Sequence, residues 1–570
     1  MDFDLNISFL DITIIAFFMF LSLALGLYFT RRASKNTGEF FLSGRNLPWW
    51  LAGTSMVATT FSSDTPLYIT GLIRSEGIYE NWQWWCFILS GMLSVFFFAK
   101  LWRRLGVVTD VELIEMRYSG RSASVLRGFK SVYFSLIIHT IIKAQVILAM
   151  SKILDVTLGW GKWESITIAT LITLAYATLS GYWGVVTTDF VQFILAMVGS
   201  IVLAVVAVTK AGGIHSITTH IPAKALSFFP PMDGGFFSTV FMTFLGYVGL
   251  SWWSKYSSDG GGVIVQRMAS CKNERESLIA TFYFNVANYA LRTWPWIIAA
   301  LASLIIYPVV ADNEAVYPRM VIDLLPSGLK GLMLASFFAA FMSTLSTYLN
   351  LSSIYFVNDF YRPFVKKDGS EKHYIAVSRW MTIVFAIVTA IVTYYVTSIV
   401  GVFKFLIAFG SGTGLVYIIR WFWWRVNAWS EISAMVASTV GSTIVYTHPV
   451  LSVQPFYAKL FMIISFSTVV WLTVTFFTQP VEKEKLLSFY KKTLPGGYGW
   501  EPVKKLAGDI QGGESLSKQI FEWINGSLFV IAVTIGLGKA LLGFYTSAAI
   551  WFSVAVITGV NIFRKAYMAR

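Results

Sequence analysis

Long apolar segments separated by short polar ones are the main pattern of this chain. A helix needs about 20 apolar residues to cross a bilayer, so each long apolar segment predicts a membrane-spanning helix. Fifteen such segments can be delimited, at about 8–30, 48–73, 81–103, 131–155, 164–182, 185–209, 236–258, 278–308, 331–357, 376–398, 401–423, 431–449, 458–478, 526–543 and 547–563. The predicted fold is an all-α polytopic membrane protein with about 14–15 transmembrane helices.

Two of the predicted spans are interrupted. The second carries a polar cluster that runs from Leu51 to Pro66, and proline removes a backbone donor from a helix. The seventh ends at Trp252-Trp253-Ser254 and is followed by Gly260-Gly261-Gly262. Interrupted helices at matching places in two halves indicate a transporter site between inverted repeats. The alternative is that these polar groups only hold neighbouring helices together.

Charged residues lie mainly in the connections and indicate an orientation. The chain is 56% hydrophobic and 13% charged, with 44 Lys and Arg residues and 30 Asp and Glu residues. If the N-terminus lies outside and the C-terminus in the cytoplasm, most Lys and Arg residues fall on the inner side, as the positive-inside rule requires. We therefore expect a multi-pass protein of the cell (inner) membrane. The net charge of +14 does not indicate nucleic-acid binding, because it is dispersed over these short loops.

A cluster of hydroxyl groups lies in the middle of the ninth predicted span. Residues 339–350 read AAFMSTLSTYLN, in which Ser343, Thr344, Ser346 and Thr347 supply only oxygen ligands. Oxygen ligands suit a hard cation such as Na⁺ better than they suit a soft metal. The alternative is that these hydroxyls donate to the carbonyl four residues earlier in their own helix.

Several short motifs accompany this cluster: Phe41-Leu-Ser-Gly-Arg45, Leu47-Pro-Trp49, Thr188-Asp189-Phe-Val-Gln192, Gln266-Arg267 and Asn358-Asp359-Phe-Tyr361. Together with it they resemble the sodium:solute symporter family over about residues 1–480. The resemblance implies a leucine-transporter-type fold, in which one leading helix precedes a 5+5 inverted-repeat core. The domains would then be 1–47 (leading helix and cytoplasmic loop), 48–210 (first five-helix repeat), 236–423 (second, inverted five-helix repeat) and 431–570 (peripheral C-terminal helices with a cytoplasmic loop at 479–525).

The resemblance also implies sodium as the coupling ion and assigns its ligands. The first sodium site would consist of Ala58 and Phe61 at the helix break and of Ala340, Ser343 and Thr344 on a facing helix. A second site, present in some members of the family, would consist of Asp189 with Ser343, Ser346 and Thr347. The alternative for Asp189 is a capping or pairing role at the membrane interface. Whether one or two sodium ions accompany each solute stays open.

The sequence identifies the solute-binding residues less clearly than the sodium ligands. The candidates are Thr59, Thr60, Ser62, Ser63, Asn81, Trp84, Lys143, Trp252, Trp253 and Arg292. The tryptophans favour a sugar, and relatives place an aromatic inner gate near Trp252 and Trp253, but Trp is also frequent at membrane interfaces. The basic residues favour a small carboxylate or amino acid, unless Arg292 pairs with Asp64, Glu80 or Asp189. Both solute classes stay open.

The predicted function is that of a secondary active transporter and not of an enzyme. No Walker A, His-Glu-x-x-His or Gly-x-Ser-x-Gly motif occurs in the chain. We expect sodium-coupled symport of a small polar organic solute by alternating access. A solute-sensing membrane receptor that keeps the fold without net transport is the alternative. The expected partners are the solute, sodium ions and the lipid bilayer, with no nucleic acid and no obligate protein partner. The stretch around Gly260–Gly262 is expected to form a flexible cytoplasmic loop.

Overall fold

The chain forms a bundle of helices, as a computed structural model shows for residues 7–33, 45–107, 109–177, 182–232, 234–508 and 513–568. Within these ranges the regular structure is helical, apart from one isolated β-bridge between Leu47 and Cys271. The first four residues of the motif that begins at Phe41 lie outside the described residues.

Each predicted span coincides with helix in the described part of the chain. In chain order the long helices are α1 (Phe9–Ala33), α2 (Trp49–Thr60), α3 (Asp64–Ser75), α4 (Ile78–Leu105), α5 (Gly120–Leu158), α6 (Lys162–Ala177), α7 (Tyr182–Lys210), α8 (239–254), α9 (Val263–Ser270), α10 (Glu274–Ile306), α11 (Leu329–Val365), α12 (Glu371–Tyr395), α13 (Ile399–Gly410, continued at Gly414–Ile419), α14 (Ala428–Thr447), α15 (Phe456–Phe477), α16 (Leu516–Leu541) and α17 (Tyr545–Met568). Nine helices in the described ranges are long and apolar enough to cross a bilayer by length and composition. The two interrupted spans are not among them, because each is split into shorter helices.

Both predicted interruptions are present. The first lies between α2 and α3, where Phe61 has an extended backbone with φ −93° and ψ 105°. The second lies between α8 and α9. In this second break Gly260 and Gly262 have φ values of 81° and 77°, a region that side chains rarely adopt. Both breaks therefore follow from the local sequence, one from Pro66 with its polar neighbours and the other from glycine.

Helix α2 lies at the centre of the bundle. It packs against α7, α9, α10 and α11, and its residues from Ala52 to Thr59 are buried. Gly53 permits the close approach of α10, since a Cβ atom at this position would lie 2.9 Å from the Ala280 carbonyl oxygen. Small residues at helix contacts are typical of membrane bundles. This packing places the broken end of α2 beside the hydroxyl cluster of α11.

The C-terminal part of the chain packs on the outside of this core. Helices α16 and α17 form a hairpin, and α16 contacts α4 and α10. The predicted loop at 479–525 contains short helices at Lys483–Thr493 and Glu501–Ala507. Its buried Trp500 donates an indole N–H to the Trp421 carbonyl oxygen over 2.7 Å. This loop is thus packed against the end of α13. The division of the chain into two five-helix repeats stays a prediction.

Candidate functional site

The first helix break exposes backbone carbonyls inside the protein. The amide of Phe61 turns back to the Ala58 carbonyl oxygen over 3.1 Å, and α3 begins only at Asp64. The last carbonyl groups of a helix receive no hydrogen bond from an N–H group of that helix, so they need other partners. The break lies in buried surroundings, because Ala58 and Phe61 are 3% and 4% exposed. Its carbonyls are therefore available to a side chain, an ion or a solute.

Thr344 of α11 reaches across to this break. Its hydroxyl donates to the Thr59 carbonyl oxygen over 3.2 Å and lies 3.5 Å from the Phe61 carbonyl oxygen. The bond runs between helices and not along α11. Ala340 and Ser343, which the sequence assigns to the same site, are buried on the same helix. The structure thus brings the hydroxyl of Thr344 to the broken end of α2. A site with oxygen ligands from both helices requires this proximity.

Asp189 of α7 lies next to the same hydroxyl cluster. Its carboxylate accepts hydrogen bonds from Ser343 over 2.5 Å, from Ser55 over 2.9 Å and from Thr59 over 3.4 Å. Asp189 is fully buried, and Arg267 donates to the Thr59 hydroxyl over 2.8 Å. A buried carboxylate needs such donors, a nearby cation or a bound ion. Ser343 thus connects the two predicted sodium sites.

For the other two residues of the predicted second site, no hydrogen bond to Asp189 is found among the described residues. The Ser346 hydroxyl donates to the Ser343 carbonyl oxygen over 3.1 Å, and Thr347 is half-buried on the next position of α11. Ser55 was not predicted, although its hydroxyl contacts Asp189. It lies four residues before Thr59, so the period of helix α2 places both on one face. That spacing could have identified it.

A cavity of about 260 Å³ lies between the two helix breaks. Its lining combines polar side chains from α2, α3, α5, α10 and the two breaks with aromatic side chains from α4, α10, α11 and α13. The main polar and aromatic contributors are Thr59, Thr60, Ser62, Asp64, Gln145, Asn285, Asn288, Trp84, Phe87, Tyr289, Tyr348 and Phe403. Both the position and the composition are typical of a small-molecule site.

Four of the predicted solute residues line this cavity, namely Thr59, Thr60, Ser62 and Trp84. The other six lie outside the lining: Ser63, Asn81, Lys143, Trp252, Trp253 and Arg292. Ser63 and Asn81 are turned to backbone carbonyls, those of Val146 and Ile78 respectively.

The two basic candidates are already occupied by protein groups. Arg292 is fully buried and donates to the Val57 carbonyl oxygen over 2.9 Å and to the Thr60 carbonyl oxygen over 3.0 Å. The Lys143 ammonium lies 3.3 Å from the Ser352 hydroxyl oxygen. Neither side chain forms an ion pair with a carboxylate within the described ranges. The alternative pairing of Arg292 with Asp64, Glu80 or Asp189 is therefore not found among the described residues, and its guanidinium contacts the end of α2 instead.

The two tryptophans at the end of α8 face away from the cavity. Trp252 contacts Trp523 of α16, with ring centroids 5.2 Å apart. The Trp253 indole N–H donates to the Gly249 carbonyl oxygen over 2.6 Å. The aromatic residue that lines the cavity at this break is Tyr256, which the sequence analysis did not single out. Tyr256 lies beyond the end of α8, because the chain leaves the helix at Lys255.

The glycine-containing break is packed into the protein and is not a flexible loop. Asp259 is 1% exposed, and its carboxylate accepts from the Arg420 guanidinium over 2.5 Å and from the Trp421 indole over 3.0 Å. Gly260, Gly261 and Gly262 line the cavity. The expectation of a flexible loop was wrong, because composition alone did not indicate these buried partners, whereas its cytoplasmic location stays a prediction.

Comparisons with known proteins find relatives of this chain. A model of the "Sodium:solute symporter family" matches residues 40–441. A sodium/glucose cotransporter of Vibrio parahaemolyticus is 24% identical over 464 residues, which cover 76% of this chain and 84% of that protein. Sodium/glucose cotransporter 1 of Oryctolagus cuniculus is 26% identical over 471 residues, which cover 73% of this chain and 69% of that protein.

A similar fold occurs in a solved structure. A Na⁺-coupled sialic acid symporter, in a substrate-bound outward-open state, matches with a TM-score of 0.68 and 23% sequence identity. The match covers 83% of this chain and 99% of that chain. The predicted fold class, an all-α polytopic membrane protein of the leucine-transporter type, is confirmed.

Proposed function

This chain belongs to the sodium:solute symporter family and is a sodium-coupled symporter, and we propose that its solute is a polyhydroxylated molecule such as a sugar. Sodium is its coupling ion, and its relatives are transporters and not enzymes. These relatives give no support to the receptor alternative. The observation that carries the proposal is the contact of Thr344 with the broken end of α2, beside a cavity lined by amide and aromatic side chains.

The first sodium ion would lie at this contact. Its ligands are the carbonyl oxygens of Ala58, Phe61 and Ala340 and the hydroxyl oxygens of Ser343 and Thr344. All five residues are at most 4% exposed, so the ion would exchange its water shell for these oxygens. A hard monovalent cation suits such a set of neutral oxygen ligands.

A second sodium ion would lie at Asp189. The carboxylate would bind it together with Ser343, Ser346 and Thr347. The existing hydrogen bond from Ser343 to Asp189 supports this assignment, because it places the shared hydroxyl and the carboxylate in contact. A buried ionisable side chain in a membrane protein is by default a functional candidate.

Coupling follows from binding linkage. If sodium and the solute both favour the same outward-facing state, each raises the affinity for the other by the same factor. Sodium entry down a membrane potential contributes about 2.3 kcal/mol per charge per 100 mV. Thr59 and Thr60 support this coupling physically, because they line the solute cavity while their segment also supplies the carbonyls of the first sodium site.

The cavity lining favours a solute with many hydroxyl groups. Asn285, Asn288 and Gln145 offer amide donors and acceptors, and Trp84 and Tyr289 offer aromatic faces. Sugars need both, since their hydroxyl edges form hydrogen bonds and their C–H faces pack on aromatic rings. The sodium/glucose cotransporters among the relatives of this chain support this choice.

An aromatic layer separates this cavity from a second one. Tyr68 and Trp84 contact Phe403, with ring centroids 4.7 Å and 6.0 Å apart. Beyond them a cavity of about 570 Å³ is lined by charged residues, among them Glu80 and Lys404. In the proposed orientation this charged cavity is the outer vestibule. The N-terminus then lies outside, the C-terminus in the cytoplasm, and the protein spans the cell membrane.

The first test of this function is sodium-dependent solute binding. Purified full-length protein would be heated with a panel of sugars, in sodium chloride and in choline chloride. A ligand that binds only the folded state raises the melting temperature with its concentration. We expect a shift that appears only in sodium. An equal shift in both salts would contradict coupling and favour a receptor.

Variants of the hydroxyl cluster test the sodium site itself. Ser343→Ala and Thr344→Ala should each lower the affinity for sodium by about tenfold or more, because each removes a group that contacts the ion. Ser336→Ala is the matched control, since this buried hydroxyl of α11 donates to the Leu332 carbonyl oxygen over 2.8 Å in its own helix. Unchanged sodium affinity in the first two variants would refute the assignment.

A further inference from the structure

Lys255 lines the solute cavity without a carboxylate partner in the described part of the chain, and we propose that it binds an acidic group of the solute. The inference rests on the proposed function and restricts the class of solute. The solute would be an acidic sugar, a polyhydroxylated molecule that carries a carboxylate. The two solute classes that the sequence left open are then combined in one molecule.

The geometry places the ammonium beside the aromatic part of the cavity. Lys255 is the first residue after α8 and has an extended backbone. Its Nζ lies 4.4 Å from the centroid of the Phe87 ring. Phe87 in turn contacts Trp84 and Phe403, with centroids 6.5 Å and 6.3 Å apart. A sugar packed on these rings would therefore present its substituents to the Lys255 ammonium.

An ammonium at this place needs an anion or water as its partner. Cationic side chains inside membrane proteins pair with anions or face water, because a lone charge is poorly solvated there. The contact with Phe87 is a cation–π interaction, which is weaker than a desolvated ion pair. Lys255 also keeps partial exposure, so its side chain is accessible to a molecule in the cavity.

Nearby carboxylates are engaged with other groups. Asp64 also lines the cavity, but it accepts a hydrogen bond from the Gln145 amide over 2.7 Å. Asp259, four residues after Lys255, is bound by Arg420. Gln145 thus orients Asp64, Arg420 binds Asp259, and no carboxylate of the described residues pairs with the Lys255 ammonium, which is free to bind one of the solute.

Two polar atoms at the cavity lining support a hydroxylated partner. The Trp84 indole N–H and the Asn285 amide oxygen are buried without a hydrogen-bond partner among the described residues. Buried polar groups are almost always paired. A solute with several hydroxyl groups could satisfy them while its carboxylate contacts Lys255.

The test compares matched neutral and acidic sugars. Thermal stability of the full-length protein would be measured with glucose against glucuronate, galactose against galacturonate and N-acetylmannosamine against N-acetylneuraminate, each in sodium chloride and in choline chloride. We expect an acid of at least one pair to stabilise the protein only in sodium, and its neutral partner to have little effect at the same concentration. If no acid does so, or if the neutral partner stabilises equally well, the inference is overturned.

Variants at position 255 then test the role of this side chain. Lys255→Gln should raise the Kd of the stabilising acid by about tenfold or more, whereas Lys255→Arg keeps the charge and should retain most of the affinity. An unchanged Kd in Lys255→Gln overturns the inference. If Lys255→Gln does not fold, the comparison of acids and neutral sugars and the Arg variant decide it.

The same measurements separate this inference from the proposed function. Stabilisation by sodium alone, lost in Ser343→Ala and Thr344→Ala, supports the sodium site whatever the solute is. If that stabilisation is present and the acids fail, only the role of Lys255 is refuted. If sodium alone has no effect on any variant or on the natural protein, the proposed sodium site fails instead.

Discussion

At the scale of single residues, Arg292 has a structural role at a place where a solute ligand was expected. Its guanidinium binds the carbonyl oxygens of Val57 and Thr60 at the C-terminal end of α2. The helix dipole makes that end negative, so a fixed cation stabilises it. The guanidinium also lies 5.8 Å from the Trp84 ring centroid and 5.7 Å from that of Trp296. Arg292 therefore holds the break in the shape that the sodium and solute sites use.

Replacing this guanidinium by an ammonium should disturb the break. Lysine is a point charge and cannot donate to two carbonyls in the fork geometry of arginine, so Arg292→Lys should leave one buried carbonyl unsatisfied. We expect a loss of about 1–3 kcal/mol in stability and a weaker stabilisation by sodium. Melting curves in sodium and in choline would measure both effects.

The control for Arg292→Lys is Arg319→Lys. Arg319 pairs with Asp323 four residues later, and its side chain is 56% exposed. An exposed pair of this kind contributes about 0–1 kcal/mol, so the control should melt close to the natural protein. Equal melting temperatures for both variants would mean that Arg292 does not support the break.

At the scale of helices and their connections, the second break is held by buried charges. Arg420 at the end of α13 binds Asp259 over 2.5 Å and Glu431 of α14 over 2.9 Å. All three side chains are at most 1% exposed. The end of α13 is thereby connected both to the segment that carries Lys255 and to α14. Any movement of α13 during transport must carry this segment along or break the contacts.

Asp259→Asn should therefore be strongly destabilising. Removal of one partner of a buried ion pair costs about 3–5 kcal/mol, and the retained contact of Arg420 with Glu431 should place the effect at the lower end. The matched control is Asp312→Asn, which removes a carboxylate that is 45% exposed and pairs with Lys152. Thermal unfolding of both variants in sodium decides the point. Similar melting temperatures would contradict a structural role for the Asp259 contact.

The two breaks also show what the sequence could predict. The first could be predicted, because Pro66 and a run of polar residues conflict with an uninterrupted apolar helix. Asp189 and Thr344 followed from the resemblance, since they lie within its motifs. The course of the chain from Lys255 to Gly262 could not be predicted. Three glycines permit many backbone conformations, and nothing in helical periodicity indicates that Asp259 is bound by a residue 161 positions away.

At the scale of the whole molecule, the two proposed sodium sites form one connected unit. Thr344 contacts the break in α2, Ser343 contacts Asp189, and Thr59 contacts both Asp189 and Arg267. Helices α2, α7, α9 and α11 thus meet at a single buried network. Sodium bound there would hold all four together, so the ion can favour one global state of the transporter. The number of sodium ions per solute then depends on how many ions this network binds.

We predict that two sodium ions enter with each solute molecule, one at each site. The ratio would be measured in proteoliposomes, as the membrane potential at which net solute flux reverses under fixed sodium and solute gradients. Asp189→Asn removes the only charged ligand proposed for the second site, while the carbonyl and hydroxyl ligands at the α2 break remain. The ratio of sodium to solute in this variant should therefore fall to one. Asp323→Asn, which removes an exposed carboxylate, should keep the ratio of the natural protein. Two outcomes would exclude a coupling ion at Asp189: a ratio of one in the natural protein, or a ratio of two that persists in Asp189→Asn. The Asp189 carboxylate would then be only a structural acceptor of hydrogen bonds from Ser55, Thr59 and Ser343.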